Sequence, residues 1–302
     1  MIVVFGAIGV DIVTRVPRFP RPGESIACDG FDVVPGTKGA NQALAAARAG
    51  ASVTLVATRG EDESGIVAAS LLQAAGVDLR HVRTVSTPTG TCLITVDAAG
   101  ENTVIAASSA NRHTTVSQLE ACAFGAGDVL LLQCELPLAE TFAAVQLGRA
   151  RGARIVLNAA PAAAVPPEVL AALDLLVVNE TEAESIGAAV GIADTDPEAI
   201  AGALHRQYGC ATVVTLGGDG AVLWDRGIRH HVPALAVQVV DSTAAGDSFT
   251  GYMAAALEQG LGLEAGLRHG AAAGSLCCTR HGAQTGIPDR AEVLAALGEP
   301  AA

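Results

Sequence analysis

The chain has 302 residues and is acidic, with 31 Asp and Glu against 18 Lys and Arg and a formal net charge of −13. That balance argues against a protein that lives on nucleic-acid phosphates or on an anionic membrane surface. Half of the residues are hydrophobic and 16% are charged, which is enough apolar surface for a large core and argues against disorder.

The N-terminal run M-I-V-V-F-G-A-I-G-V-D has no basic lead, and Gly6, Gly9 and Asp11 interrupt it. It reads as a buried strand and not as a signal peptide. No apolar run approaches the roughly 18 residues that a spanning helix needs. Short, almost continuously apolar strands are predicted at 2–5, 52–57, 128–133, 154–158, 174–178 and 211–216. Between them, helices are predicted near 39–49, 64–75, 138–151, 180–187 and 197–208. Strands of this kind are covered on both faces, and the alternation predicts a doubly wound α/β domain. Two stretches break the rhythm. Residues 11–35 carry Pro17, Pro20, Pro22 and Gly23 between short extended runs, and 88–107 holds two alternating runs around A-G-E-N, a hairpin signal. Both read as β-structure added to one edge, either a lid or plain edge strands. No repeat or domain boundary is visible, so one domain over 1–302 is expected, with Ala/Pro clusters at 159–167 and 298–302 as a loop and a frayed tail. Seven cysteines (Cys28, Cys92, Cys122, Cys134, Cys210, Cys277, Cys278) without a C-x-x-C predict reduced, mostly buried thiols and a cytoplasmic location.

Four segments have the residue types for chemistry. In P-G-T-K-G-A-N-Q-A (35–43), glycines flank a lysine ahead of a helix, so backbone N–H groups and the amides of Asn41 and Gln42 can meet a ligand; a plain strand-to-helix turn has the same sequence. N-E-T-E (179–182) follows an apolar strand. Its oxygens can hold Mg²⁺ through water or simply start a helix. T-L-G-G-D-G-A (215–221) is a nucleotide-facing turn or the tight turn of a hairpin leading into A-V-L-W. In V-D-S-T-A-A-G-D-S-F-T-G (240–251), small residues open a helix with apolar positions Phe249, Met253 and Leu257. The N–H groups at 244–247 would form an anion nest, and Asp247 beside it can accept a proton from a hydroxyl, or merely complement the helix dipole. His230 and His231 are adjacent on an extended segment and face opposite ways, so they do not suit a shared metal.

Taken together these segments resemble the ribokinase family of carbohydrate kinases, the PfkB type. The resemblance is collinear from Gly6 to Pro288 and includes P-G-E (22–24), T-P-T-G (87–90), G-E-N (100–102), Q-C-E-L-P-L (133–138), L-N-A-A-P (157–161), N-E-T-E-A-E (179–184) and T-R-H-G-A-Q (279–284). It implies a three-layer α/β sandwich with a central, mostly parallel sheet and a small β-sheet lid, and an ATP-dependent sugar kinase. Asp247 would be the base, with the amides of Ala244, Ala245 and Gly246 as the anion hole. Asp11, Lys38, Gly39, Asn41 and Glu135 would hold the sugar. Asn179, Thr215, Gly217 and Gly220 would hold the nucleotide, and Glu182 would serve Mg²⁺. A monovalent cation, K⁺, would use Asp241 and the carbonyls of Thr243, Cys277, Arg280 and Gly282. The resemblance further implies a homodimer formed through the lid. The expected acceptor is a primary hydroxyl of a pentose, D-ribose O5 first; another sugar, a nucleoside, or a non-catalytic sugar-binding protein are the alternatives. Three positions depart from the family's pattern: Gly9 replaces a usual Asn, Thr37 a usual second Gly, and Gly286 a frequent Ser.

Overall fold

A computed structural model describes residues 1–300. In chain order β1 (Ile2–Phe5), β2 (Gly9–Arg15) and β3 (Phe31–Gly36) precede α1 (Lys38–Arg48), β4 (Val53–Gly60) and α2 (Glu63–Ala74). Next come β5 (Val82–Val85), β6 (Gly90–Val96), β7 (Asn102–Ala107), α3 (Val116–Glu120), β8 (Val129–Gln133), α4 (Leu138–Arg151) and β9 (Arg154–Asn158). They are followed by α5 (Pro167–Leu170), β10 (Leu175–Asn179), α6 (Glu180–Ala189), α7 (Pro197–Tyr208) and β11 (Ala211–Thr215). The chain closes with β12 (Ala221–Asp225), β13 (Ile228–Val232), α8 (Ala245–Glu258), α9 (Leu263–Cys277), α10 (Ala283–Gly286) and α11 (Arg290–Leu297).

The large sheet has the order β13-β12-β11-β10-β9-β8-β1-β4-β5, parallel from β11 to β5 and antiparallel at β12 and β13. Its period of two explains the continuous apolar strands. Ile2, Val4, Val129 and Leu131 face one core with α1, α2, α8 and α9; Val3, Phe5, Leu130 and Leu132 face the other with α4, α6 and α7. Helix–sheet–helix layers result, as the resemblance implies. Strand β5 and helix α9 lie outside the predicted elements. The tail expected at 298–302 is tied down at Glu299, which meets His269 and Arg268, while 301–302 fall outside the described residues.

The small sheet has the order β3-β2-β6-β7. The A-G-E-N hairpin is the antiparallel pair β6–β7. The stretch 11–35 is only partly strand. Pairing begins at Gly9 and ends at Gly36, whereas 16–30 forms an irregular loop because its prolines cannot donate to a ladder.

On the first face, α1 and α8 approach closely. A Cβ added at Gly251 would lie 2.5 Å from Ala45 Cβ and 2.7 Å from the Gln42 carbonyl oxygen. Only glycine allows this distance, which brings the first turns of the two helices together.

Candidate active site

Four neighbouring parallel strands end in a polar residue: β8 in Gln133, β9 in Asn158, β10 in Asn179 and β11 in Thr215. The carboxyl edge of an open α/β sheet is where ligands bind. Here a polar cavity of about 210 Å³ is lined by Lys38, Asn158, Asn179, Glu182, Thr215 and Ala244–Asp247. A second, more apolar cleft of about 470 Å³ shares Thr215, Ser242, Ala245 and Gly246 with it, and continues past Gly217, Gly220, Phe249 and Cys278. The two meet at the N-terminus of α8, so a flat apolar group can enter the cleft while an attached anion reaches the helix end. T-L-G-G-D-G-A forms the hairpin turn. Gly217, at φ 53°, and Gly220, at φ 92°, belong to a turn between antiparallel strands, and that turn lines the cleft.

Asp247 is in the first turn of α8 and is buried. Its Oδ2 accepts from Asn41 Nδ2 at 2.9 Å and its Oδ1 from Gln42 Nε2 at 2.9 Å. Asn41 Oδ1 is buried with no partner, an acceptor open to a ligand hydroxyl. Helix α8 starts from Ala244 at φ 60°. The Ala245 N–H is drawn into the local turn, at 3.2 Å from Ser242 O, whereas those of Ala244 and Gly246 make no backbone bond. Of the three amides expected to form the anion hole, those of Ala244 and Gly246 are free of backbone partners.

Acidic groups crowd around Lys38. Burial pushes the Asp11 carboxyl up to about 6, with Asp247 adding to the rise. Burial likewise pushes Glu135 up to about 7, against the pull of Lys38 and a hydrogen bond from the Lys38 N–H at 2.8 Å. Asp247, ahead of Glu135 and Glu182, holds the Lys38 ammonium above the ordinary lysine value despite its burial. Lys38, expected among the sugar-holding residues, also lines the polar cavity. Gly39 packs against the Gly6–Ala7 backbone, which leaves no room for a Cβ.

Residues 1–290 match the description "pfkB family carbohydrate kinase". The chain belongs to this family. It is an ATP-dependent sugar kinase. A ribokinase of Haemophilus influenzae is 38% identical over 296 residues, 96% of each chain. The ribokinase of Thermotoga maritima superposes with a TM-score of 0.91 at 32% identity, covering 99% of each chain. Arabidopsis thaliana ribokinase, solved with ribose and ATP, gives 0.86 at 30% identity, covering 98% of each chain.

In this kinase N-E-T-E starts a helix, as one of its two predicted readings has it. Asn179 and Glu182 cap α6 reciprocally, at 2.8 and 2.9 Å, yet Glu182 is buried and lines the polar cavity. One carboxylate suits a metal held through water and not an all-protein cage. Among the described residues no group of three His, Cys, Asp or Glu converges on a metal position. Asp241 joins two loops: its Oδ1 accepts from Thr243 and its Oδ2 from the Gly282 N–H at 2.9 Å. Burial raises its carboxyl, and these bonds outweigh that and hold it below the ordinary value. A Cβ at Gly286 would lie 3.2 Å from Cys277 O and 3.6 Å from Arg280 O, so both carbonyls approach the Gly286 backbone.

Three buried amides within the motifs matter beyond the roles expected of them. Gln42, read as a hydroxyl partner, bonds Asp247 instead, and Gln133 and Asn158 bond Gln42 at 2.8 and 2.9 Å. The signal for the latter two was a polar residue closing an apolar strand. His230 and His231 diverge as expected, toward Glu264 and Asp219 O. All seven cysteines are free.

Proposed function

We propose that the kinase transfers the γ-phosphoryl of ATP to O5 of D-ribose, with Asp247 as the base. The observation that carries this is the Asp247 carboxylate, fixed by two amide donors at the α8 N-terminus between the acidic sugar side and the polar cavity. The O5 proton passes to Asp247 as the O5–phosphorus bond forms and the bond from phosphorus to the bridging oxygen breaks, releasing ADP. Asp11, Lys38, Gly39, Glu135 and the open Asn41 Oδ1 receive the sugar hydroxyls. The apolar cleft at Thr215, Gly217 and Gly220 takes the base of ATP. Asn179, with the N–H groups of Ala244 and Gly246, meets its phosphates, and the Lys38 ammonium offsets their charge. Mg²⁺ bound with ATP supplies further neutralisation, and Glu182 would hold it through water. K⁺ would lie among Asp241 and the carbonyls of Thr243, Cys277, Arg280 and Gly282. The small sheet closes over the sugar and excludes water. The ribose and ATP in the Arabidopsis relative support this choice of substrates.

A homodimer through the small sheet belongs to this reading. Asp11 and Cys92 are on its site-facing side, while Val33, Leu93 and Ile105 are exposed and in one row on the other. Strand β7 leaves an unpaired edge beside them. A cytoplasmic location is also part of it, supported by the free thiols.

The test is ADP release with Mg-ATP across ribose, deoxyribose, fructose and common nucleosides, each with K⁺ and with Na⁺. Turnover strongest on ribose and raised by K⁺ is expected. Turnover on another member alone would refute the ribose assignment.

A further inference from the structure

Gln42 is completely buried, and the orientation of its amide is not free. Asn158 Nδ2 donates to Val177 O at 3.2 Å, a carbonyl that can only accept. Asn158 Oδ1 therefore faces Gln42 and requires a donor. That turns the Gln42 NH₂ toward Asn158 Oδ1 and Asp247 Oδ1, each at 2.9 Å, and leaves Gln42 Oε1 to accept from Gln133 Nε2 at 2.8 Å. A backbone carbonyl of β10 thus sets, through two side chains, which end of an amide the carboxylate meets. An amide neither gains nor loses a proton in the working range, so this donor never competes for the proton taken from the sugar.

We infer that Gln42 is a positioning residue for Asp247, oriented through Asn158 and Gln133, and that it fixes the carboxylate so that its free lone pairs face the substrate hydroxyl. The inference rests on the reading of Asp247 as the base. Gln42 and Gln133 are buried, and the Gln42 amide is engaged by Asp247, Asn158 and Gln133, so it acts on the reaction through the carboxylate.

The test compares Gln42→Leu, Gln133→Leu, the double variant and Asp247→Asn, with kcat, both KM values and Tm read for each. Gln42→Leu should lower kcat about 10–100-fold, the worth of one hydrogen bond to a charged group, with the KM for sugar and for ATP within about threefold of wild type. Gln133→Leu should lower kcat about 3–10-fold alone and have no further effect on kcat in the Gln42→Leu background, although both substitutions still lower Tm in the double variant. Purely structural roles would leave the kcat effects additive. Gln42→Met replaces Gln42→Leu if the latter does not fold. A kcat for the Gln42 variant within twofold of wild type, or a Gln133→Leu effect of equal size in both backgrounds, would overturn the inference. Asp247→Asn separates the two readings: full turnover there removes the base assignment, whereas an inactive Asp247→Asn beside a fully active Gln42→Leu removes the relay alone.

Discussion

The distance between α1 and α8 sets the geometry of Asp247, and Gly251→Ala tests this directly. The added methyl would lie 2.5 Å from Ala45 Cβ, 2.7 Å from Gln42 O and 2.9 Å from the Ala46 nitrogen. Carbon atoms rest about 3.5–4.0 Å apart, so the helices must part by about 1 Å. Overpacking of this kind costs about 1–3 kcal/mol, and the better helix propensity of Ala returns about 1 kcal/mol. A net loss of at most about 2 kcal/mol corresponds to a Tm lower by at most about 3 °C in a chain of this size. The catalytic effect should be larger. The bonds from Asn41 and Gln42 to Asp247 are 2.9 Å long, and a further ångström takes both beyond hydrogen-bonding distance. Displacement of a reacting group by that much costs about 10²-fold in kcat. The assay is steady-state ADP formation beside a thermal melt, with Gly148→Ala as the control. Its Cβ would lie 2.7 Å from Leu130 Cδ2, on the opposite face of the sheet. The control should lose comparable stability and keep its kcat. If Gly251→Ala loses as much stability as the control but keeps kcat within threefold of wild type, the helix separation does not position Asp247.

Asp247→Asn should lower kcat about 10²–10⁴-fold with an unchanged melt, as expected for loss of a general base. Glu135→Gln should be more stable than wild type at pH 8. The Glu135 carboxyl is raised from 4.5 to about 7, so stability is lost as pH rises between those values, by at most about 3 kcal/mol; the advantage of the variant should vanish near pH 4.5, and a pH-independent difference in Tm would refute it. Thr37 is β-branched at φ 73°, ψ 143°, a region for glycine, and its hydroxyl donates to Ala7 O at 3.0 Å. In Thr37→Gly, strain relief of about 1–3 kcal/mol offsets the lost bond and the added chain entropy, so Tm should move by less than about 4 °C, and a larger drop in the melt would show that the turn is unstrained. Ile105→Glu, on the outer face of the small sheet, should convert a dimer to a monomer in light scattering while the fold remains.

Much of this architecture is legible in the sequence because the parallel strands are short and apolar throughout, and the register of each puts alternate residues into two cores. The first turn of α8 is legible because small residues cluster ahead of a single acid. Helix α9 is not, since Gly266, Gly270 and Gly274 lower its propensity; they form one stripe that packs on α8, a reason that exists only once α8 is in place. Gln42 is a similar case. An amide near a glycine turn suggests a ligand, and only the crossing of α1 and α8, 205 residues apart in sequence, turns it onto Asp247.

The motif segments and the strand ends also explain why the site is acidic and strained. Glu135, Glu182 and Asp247 share one cation, Lys38, and burial raises the carboxyls of Asp11, Glu135 and Glu182. No packing benefit requires this, because neutral isosteres would fill the same volume. Each of these carboxylates keeps lone pairs that the fold does not use, and a polyhydroxylated ligand can satisfy them, since each hydroxyl brings a proton to such an oxygen. Thr37 and Gly9 bear on the same selection. Gly9 and Asp11 alternate on β2 and so share a face, and a Cβ at Gly9 would be 2.9 Å from Thr37 Cγ2. The same Cβ would lie 2.3 Å from the Gly90 carbonyl oxygen, so the close approach of β6 excludes a side chain at position 9 even before the threonine methyl does.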